Sequence, residues 1–275
     1  MHHSALGLAW RTPFSRVLCA PAEVEVISDQ TPPAVFAGSK QGVSVQLRNL
    51  AAQPVEIDLR YRLYQASAAT LAPFGEVKAW KPLPLGAKQT AVELFEVELP
   101  PVRGEVAFHI VWFEGDKKLG TTRLEAFPDD LLTPLATLAG DVPLGLFDPE
   151  EQLRPAFKSI SASELKELED LITSESKLVI IAPMSPHSRP PALTAAVKKK
   201  AASGGAVVWI QPVSRGPEPV SSAYVVREGL GNIVVAQASL VANFAQSPRA
   251  QLSLVRLAEL ATARKKLELP ADPQP

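Results

Sequence analysis

Leu178-Val179-Ile180-Ile181-Ala182-Pro183 is an unbroken apolar run that ends on a proline. A strand with one wet face alternates apolar and polar residues; a run with no polar member belongs to a strand covered on both faces, at the centre of a sheet flanked by helices. Downstream, residues 192–202 have helical character and stop at Ser203-Gly204-Gly205, after which Ala206-Val207-Val208-Trp209-Ile210 reads as the next strand. Tyr224-Val225-Val226-Arg227 and Asn232-Ile233-Val234-Val235-Ala236 flank a glycine-containing turn, and residues 248–263 read as a closing helix. Upstream, Leu144-Gly145-Leu146-Phe147 is a buried strand ending at Asp148-Pro149, a pair suited to start a helix that runs to Phe157. Lys158-Ser159-Ile160 reads as a short second strand. Ser161 or Ser163 then caps a helix over residues 164–172, whose Leu165, Leu168, Leu171 and Ile172 share one face.

Before Pro128 the grammar differs. Over residues 23–127 apolar residues recur mainly at period two, as in Val43-Ser44-Val45-Gln46-Leu47 and Val55-Glu56-Ile57-Asp58-Leu59-Arg60-Tyr61-Arg62-Leu63. The polar, proline-ended Arg48-Asn49-Leu50-Ala51-Ala52-Gln53-Pro54 between them predicts a hairpin. The pattern returns over residues 91–99 and 105–113, and Glu114-Gly115-Asp116-Lys117-Lys118 turns the chain into residues 119–127. Several short strands with no helix among them predict an all-β immunoglobulin-like sandwich, and the alternation of strands and helices past Pro128 predicts a three-layer α/β domain after it. The expected division is a leader or linker over 1–22, the β-sandwich over 23–128, a linker over 129–141, the α/β domain over 142–265 and a disordered tail over 266–275.

At 275 residues the chain is long enough for two cores, and 46% hydrophobic with 21% charged residues is the composition of a folded protein. Lys+Arg 28 against Asp+Glu 29 leaves no basic excess to neutralise phosphates, so nucleic acid is excluded as an expected partner. Cys19 is the single cysteine, which rules out an intrachain disulfide and a four-thiolate metal site. The first 20 residues are interrupted by Arg11, Pro13 and Arg16 and do not read as a signal peptide, and no run approaches the ~18 apolar residues of a membrane helix. The compartment stays open; a longer precursor would be periplasmic or secreted.

The blocks Leu144-Gly145-Leu146-Phe147-Asp148, Leu178-Val179-Ile180-Ile181-Ala182-Pro183, Ala202-Ser203-Gly204-Gly205-Ala206-Val207-Val208-Trp209 and Gly229-Leu230-Gly231-Asn232-Ile233-Val234-Val235-Ala236-Gln237 carry a resemblance. In order and spacing, roughly over residues 140–265, they resemble the class I glutamine-amidotransferase-like, flavodoxin-type domains attached to carbohydrate-active enzymes such as bacterial beta-galactosidases. The pairing of such a domain with an upstream sandwich resembles the C-terminal modules of long glycoside hydrolases. The resemblance implies a carbohydrate-associated accessory or assembly role, as a separate protein or the C-terminal part of a larger glycoside hydrolase, with a carbohydrate or a glycoside hydrolase as partner; a homo-oligomer is the expectation of a plain interaction module.

An amidotransferase of that class needs a cysteine on a sharp strand-to-helix turn. Cys19 lies far upstream, and the position after the central strand holds Pro183-Met184-Ser185-Pro186-His187, so the reading is non-catalytic. The competing reading is a hydrolase acting on a glycan or an amide through Ser185, His187 and Asp148, all at strand C-terminal ends where open α/β sheets bind ligands. A plain protein-interaction module is the third. Asp148, Met184, Gln211 and Gln237 are the ligand-binding candidates at those strand ends. No cofactor and no metal are expected: His109 stands alone within a strand pattern, and His2 and His3 are adjacent at the N-terminus. Lys198-Lys199-Lys200 reads as a solvated helix end and Gly229-Leu230-Gly231 as a hairpin turn. Tyr61, Trp80 and Trp112 are weighed as a sugar-stacking platform against sandwich core.

Overall fold

The computed structural model describes residues 23–158, 160–212, 220–239 and 243–263. The expected leader with His2, His3 and Cys19, the expected tail, and Ser159 of the expected second strand lie outside the described residues. The chain runs through β1 (Val24–Ile27), β2 (Ala34–Phe36), β3 (Lys40–Asn49), β4 (Val55–Ala66), β5 (Leu71–Leu85), β6 (Thr90–Glu98), β7 (Val106–Glu114) and β8 (Lys117–Phe127). It continues through α1 (Thr133–Ala139), β9 (Leu144–Phe147), β10 (Ala162–Glu164), α2 (Leu168–Thr173), β11 (Leu178–Ile181), α3 (Leu193–Ala202) and β12 (Ala206–Pro212). It ends with β13 (Val220–Glu228), β14 (Gly231–Ala238) and α4 (Pro248–Thr262).

The first eight strands make two facing sheets, β1-β3-β6 and β2-β8-β7-β4-β5. Alternate residues point between them: Val43, Val45 and Leu47 from β3, Phe95 and Val97 from β6, Ile57, Leu59 and Leu63 from β4, and Phe108, Ile110 and Trp112 from β7 share one core. At its centre Trp112, fully buried, donates its indole N–H to Thr122 Oγ1 at 2.9 Å and lies 4.9 Å from Phe95, with Tyr61 and Trp80 at 5.9 and 5.3 Å. The weighed sugar platform is therefore core; a ring of this size removes roughly 150–250 Å² from water, on the order of 4–6 kcal/mol.

The last six strands form one sheet in the order β10-β9-β11-β12-β14-β13. All pairs are parallel except β13–β14. Leu146, Ile180, Val208 and Val234 meet α1 and α4 on one face, while Val179, Ile181, Val207 and Val235 meet α2 and α3 on the other. That double covering is why the strands are unbroken apolar runs. Helix α4 starts where Ser247 Oγ accepts from the Ala250 amide at 3.3 Å and Pro248 fills the first turn; Ala250, Leu254, Leu257, Ala258 and Ala261 then form its buried stripe.

The expected pair, an all-β immunoglobulin-like sandwich before a flavodoxin-like domain, is corrected by this arrangement. Strand makes up about 46% of the described residues and helix, 3₁₀ turns included, about 20%, spread over mixed and parallel sheets with four α-helices. β2 runs parallel to β8, so the larger of the first two sheets is not antiparallel throughout, and the six-stranded sheet ends in an antiparallel strand. β3 and β4 do not form the expected hairpin: β3 pairs with β1 and β6, β4 with β5 and β7. Asn49 makes that crossing. Its buried side chain donates to the Gln53 and Gly86 carbonyls at 2.9 and 2.8 Å and accepts from the Ala51 amide at 2.8 Å, which turns the chain toward the other sheet.

After Asp148 no α-helix forms; the chain makes only a 3₁₀ turn at Arg154–Phe157. Glu151 has a φ of 54°, outside the helical region, and Pro155 has no N–H to give. The second strand of the sheet is β10, at Ala162–Glu164 rather than 158–160. The helix expected over 164–172 begins only at Leu168, where the Glu167 and Asp170 side chains form a capping box. The expected linker over 129–141 holds α1, whose Leu135 and Ala139 join the core beneath β9.

Candidate functional site

The C-terminal ends of β9, β11, β12 and β14 bring together the segments that carry the candidate residues. Asp148, directly after β9, is buried. Its Oδ1 accepts from the Gln152 amide at 3.0 Å, and its Oδ2 from the amides of Leu153 and Arg154 at 2.7 and 3.0 Å. The carboxylate is thus spent on holding the loop that leads into the 3₁₀ turn. Arg154 extends the same loop by ion pairs to Glu151 and to Glu164 of β10.

After β11, Ser185 lies against this loop through Glu150. The Ser185 amide donates to Glu150 Oε1 at 2.8 Å, the Gln152 side-chain amide donates to Glu150 Oε2 at 2.7 Å, and the Ser185 and Ser188 hydroxyls are 3.0 Å apart. Hydrogen bonds from the Ser188 hydroxyl, the Ser185 amide and the Ser185 hydroxyl hold the Glu150 carboxyl below the usual carboxylate range. Gln152 Oε1 beside it is buried without a partner. His187 is exposed and makes no hydrogen bond to Ser185 or Asp148. Ser185 is therefore joined to Glu150 and Ser188, and no hydrogen bond links Ser185, His187 and Asp148 to one another.

Met184 and Gln211 do come together. They line a cleft of about 500 Å³ between the loop after β11 and the end of β12, with Arg189, Thr194 and Trp209. The Arg189 guanidinium stands 4.9 Å from the centroid of the Trp209 ring. Residues 209 and 211 are two apart on β12 and so share a face of the sheet. Gln237 pairs in register with Gln211 but is exposed and accepts from the Ser222 hydroxyl at 3.2 Å, outside the cleft.

Sequence reasoning missed Glu150, Ser188, Arg189, Thr194 and Trp209. Trp209 was legible in principle, two residues before Gln211 on a strand already recognised. Glu150 had a weaker signal, an acid three residues past a strand end. Lys200, expected on a solvated helix end, is buried instead and donates to the Ser174 carbonyl at 2.5 Å, closing the C-terminus of α2; burial pushes its pKa down. His109 is half-buried on the outer face of β7, and burial with the nearby charges of Arg123 and Lys118 lowers its pKa. Among the described residues no group of three His, Cys, Asp or Glu is placed to hold a metal ion, and no helix is long and apolar enough to cross a membrane.

No protein-family model and no curated protein matches the chain. Solved structures similar to part of it include the alkylpurine DNA glycosylase AlkC of Pseudomonas fluorescens bound to DNA, at 22% identity and TM-score 0.29 over 39% of this chain and 31% of that one. A beta-glucosidase from Listeria innocua matches at 17% identity and TM-score 0.29 over 38% of this chain and 16% of that one. The CARDB domain of PF1109 from Pyrococcus furiosus matches at 19% identity and TM-score 0.26 over 38% of this chain and 94% of that domain. The chain thus spans less than a third of the glycosylase and of the glucosidase. Likenesses this weak carry no argument about what the protein does, and none of these three is to an amidotransferase.

Proposed function

We propose that the protein is a non-catalytic, carbohydrate-associated accessory protein that holds a sugar-sized ligand in the cleft between the loop after β11 and the end of β12. The observation that carries this reading is the make-up of that cleft: an indole under a guanidinium, with the Gln211 amide and the Thr194 hydroxyl beside it. Trp209, only 8% exposed and covered by Arg189, floors the cleft, while an amide, a hydroxyl and a guanidinium supply the donors and acceptors that sugar hydroxyls need. Beside the cleft, the Ser185 hydroxyl is engaged with Ser188 and the Asp148 carboxylate with three backbone amides, an arrangement suited to holding loops. The resemblance of residues 140–265 to domains attached to carbohydrate-active enzymes points to the same class of ligand.

Galactose, glucose and N-acetylglucosamine, with their β-linked disaccharides, are the probes, and the indole N–H resonance of Trp209 is the readout. At least one sugar is expected to shift that resonance saturably. Arg189→Ala and Gln211→Ala should each weaken the binding about tenfold, the loss of roughly one good hydrogen bond. Silence across the whole panel at millimolar concentration, or binding indifferent to both substitutions, overturns the reading.

A further inference from the structure

Among the described residues, six strands stand at sheet edges: β1, β6, β10, β13, β2 and β5. An open edge presents unpaired backbone N–H and C=O groups to any other strand, and folded proteins blunt such edges by shortness, proline or charge. Five of the six carry a recognisable device. β1, β2 and β10 have only 4, 3 and 3 residues. β5 contains Pro73, Pro82 and Pro84, which cannot donate to a neighbour, and β6 carries Glu93, Glu96 and Glu98. β13 is neither short nor interrupted by proline, and its charges, Arg227 and Glu228, stand together at its last two residues. It is 9 residues long, contains no proline or lysine, and exposes Tyr224, Val225 and Val226 by 55%, 51% and 36%.

We infer that this edge is an interface: β13 pairs antiparallel with β13 of a second copy of the chain, about a two-fold axis at Val225. A two-fold axis perpendicular to the sheet keeps each side chain on its own face, so directly opposed residues must be an even number apart and the axis must pass through a residue. With Val225 at the axis, Val225 faces its own copy and Tyr224 faces the second copy's Val226, an aromatic and β-branched pair of the kind that stabilises sheets. Ala223 then faces Arg227, and Ser222 faces Glu228. No like charges are opposed, and each Arg227-Glu228 pair lies beside the uncharged end of the other strand. Moving the axis to Val226 sets Tyr224 against Glu228 and Val225 against Arg227. Moving it to Tyr224 leaves Val225 against Ala223 and Val226 against Ser222.

The strand is therefore self-complementary in one register, which favours a second copy over a foreign extended peptide. The register irregularity between Val220 and Ser222 ends regular pairing, so the seam runs over residues 222–228. α3 and α4 both pack against β13, one on each face, and so flank the seam. The joined sheet would run unbroken through twelve strands, with these helices adding to an interface that a strand alone would leave small. The inference is independent of the sugar-binding proposal, because β13 shares no residue with the cleft.

The test is sedimentation equilibrium of the full chain from 1 to 200 µM with two variants. The unaltered chain is expected to be dimeric. Val225→Arg places two guanidinium groups face to face at the axis and should weaken association by at least about 100-fold while circular dichroism stays unchanged. In a Cys19→Ser background, Val225→Cys should form an intermolecular disulfide under mild oxidation, since opposed residues in antiparallel strands lie within disulfide reach. A Tyr224→Cys control should not. The cross-link needs no disruptive substitution, so it decides the matter even if the arginine variant misfolds. A chain that is monomeric throughout, a dimer indifferent to Val225→Arg in its folded state, or cross-linking at 224 in place of 225 refutes the interface.

Discussion

Asp148 and Glu150 stand two residues apart after β9 and have different work. The sequence reads Asp148 as a helix cap, and the chemistry of that reading is right, since its oxygens accept three backbone amides. The helix is missing because Glu151 is held at a positive φ and Pro155 cannot donate, features that no apolar periodicity reports. Glu150 is the opposite case: its role depends on Ser185, 35 residues away, so nothing local marks it. Its carboxyl, held below the usual range by Ser188 and Ser185, binds fewer protons in the folded chain than in the unfolded one. Stability from this group is therefore full above the ordinary carboxylate pKa of ~4.3 and is lost as pH falls through the folded value. Glu150→Gln should flatten that part of the acid limb in urea melts taken from pH 6 to pH 3. It should also loosen the loop after β11, seen as faster amide exchange at Ser185. A variant with an unchanged acid limb and unchanged exchange at Ser185 would show that the knot holds nothing.

At the scale of elements, patterning located strands well and their partners poorly. Period-two alternation marks residues 55–63 as a strand whatever its neighbours are, but the choice between a hairpin and a crossing rests on the buried side chain of Asn49, one residue in a polar turn. The turn between β13 and β14 was legible because Gly229-Leu230-Gly231 leaves few alternatives. Its tightness was not. A Cβ on Gly231 would meet the carbonyl oxygens of Gly205 and Ala201, so the turn is pressed against the end of α3 with room for hydrogen only. Gly231→Ala should cost at least about 2 kcal/mol, because the obstacle is backbone and cannot rotate away. Leu230→Ala next to it, on a side chain 82% exposed, should stay within about 0.5 kcal/mol. Equal urea midpoints for the two variants would mean that α3 and the turn are not in contact in solution.

For the molecule as a whole, the sequence treats residues 129–141 as a seam between two independent cores. One side chain crosses it by a route that sequence cannot show. Arg249 stands in the first turn of α4, where a cation is disfavoured by the helix dipole, so its place there has to be explained by something outside the helix. Its guanidinium reaches Glu125 of β8 at 2.6 and 3.2 Å and the Pro32 carbonyl at 3.0 Å, and Glu125 is 124 residues earlier in the chain. Both side chains are about two-thirds covered, at 35% and 28% exposure, which lifts the pair above an ordinary surface ion pair and leaves it short of a buried one. The two cores also meet along α4 and β2. Removing the cation should therefore loosen the union more than it weakens either part. Arg249→Ala is expected to lower overall stability by only about 1 kcal/mol, while thermal unfolding separates into two resolved transitions and native-state proteolysis near residues 128–132 accelerates several-fold. Arg249→Lys, which keeps the charge and loses the forked geometry, should fall between the two. A single sharp transition in Arg249→Ala, with proteolysis unchanged, would place the coupling in the packing of α4 against β2 instead.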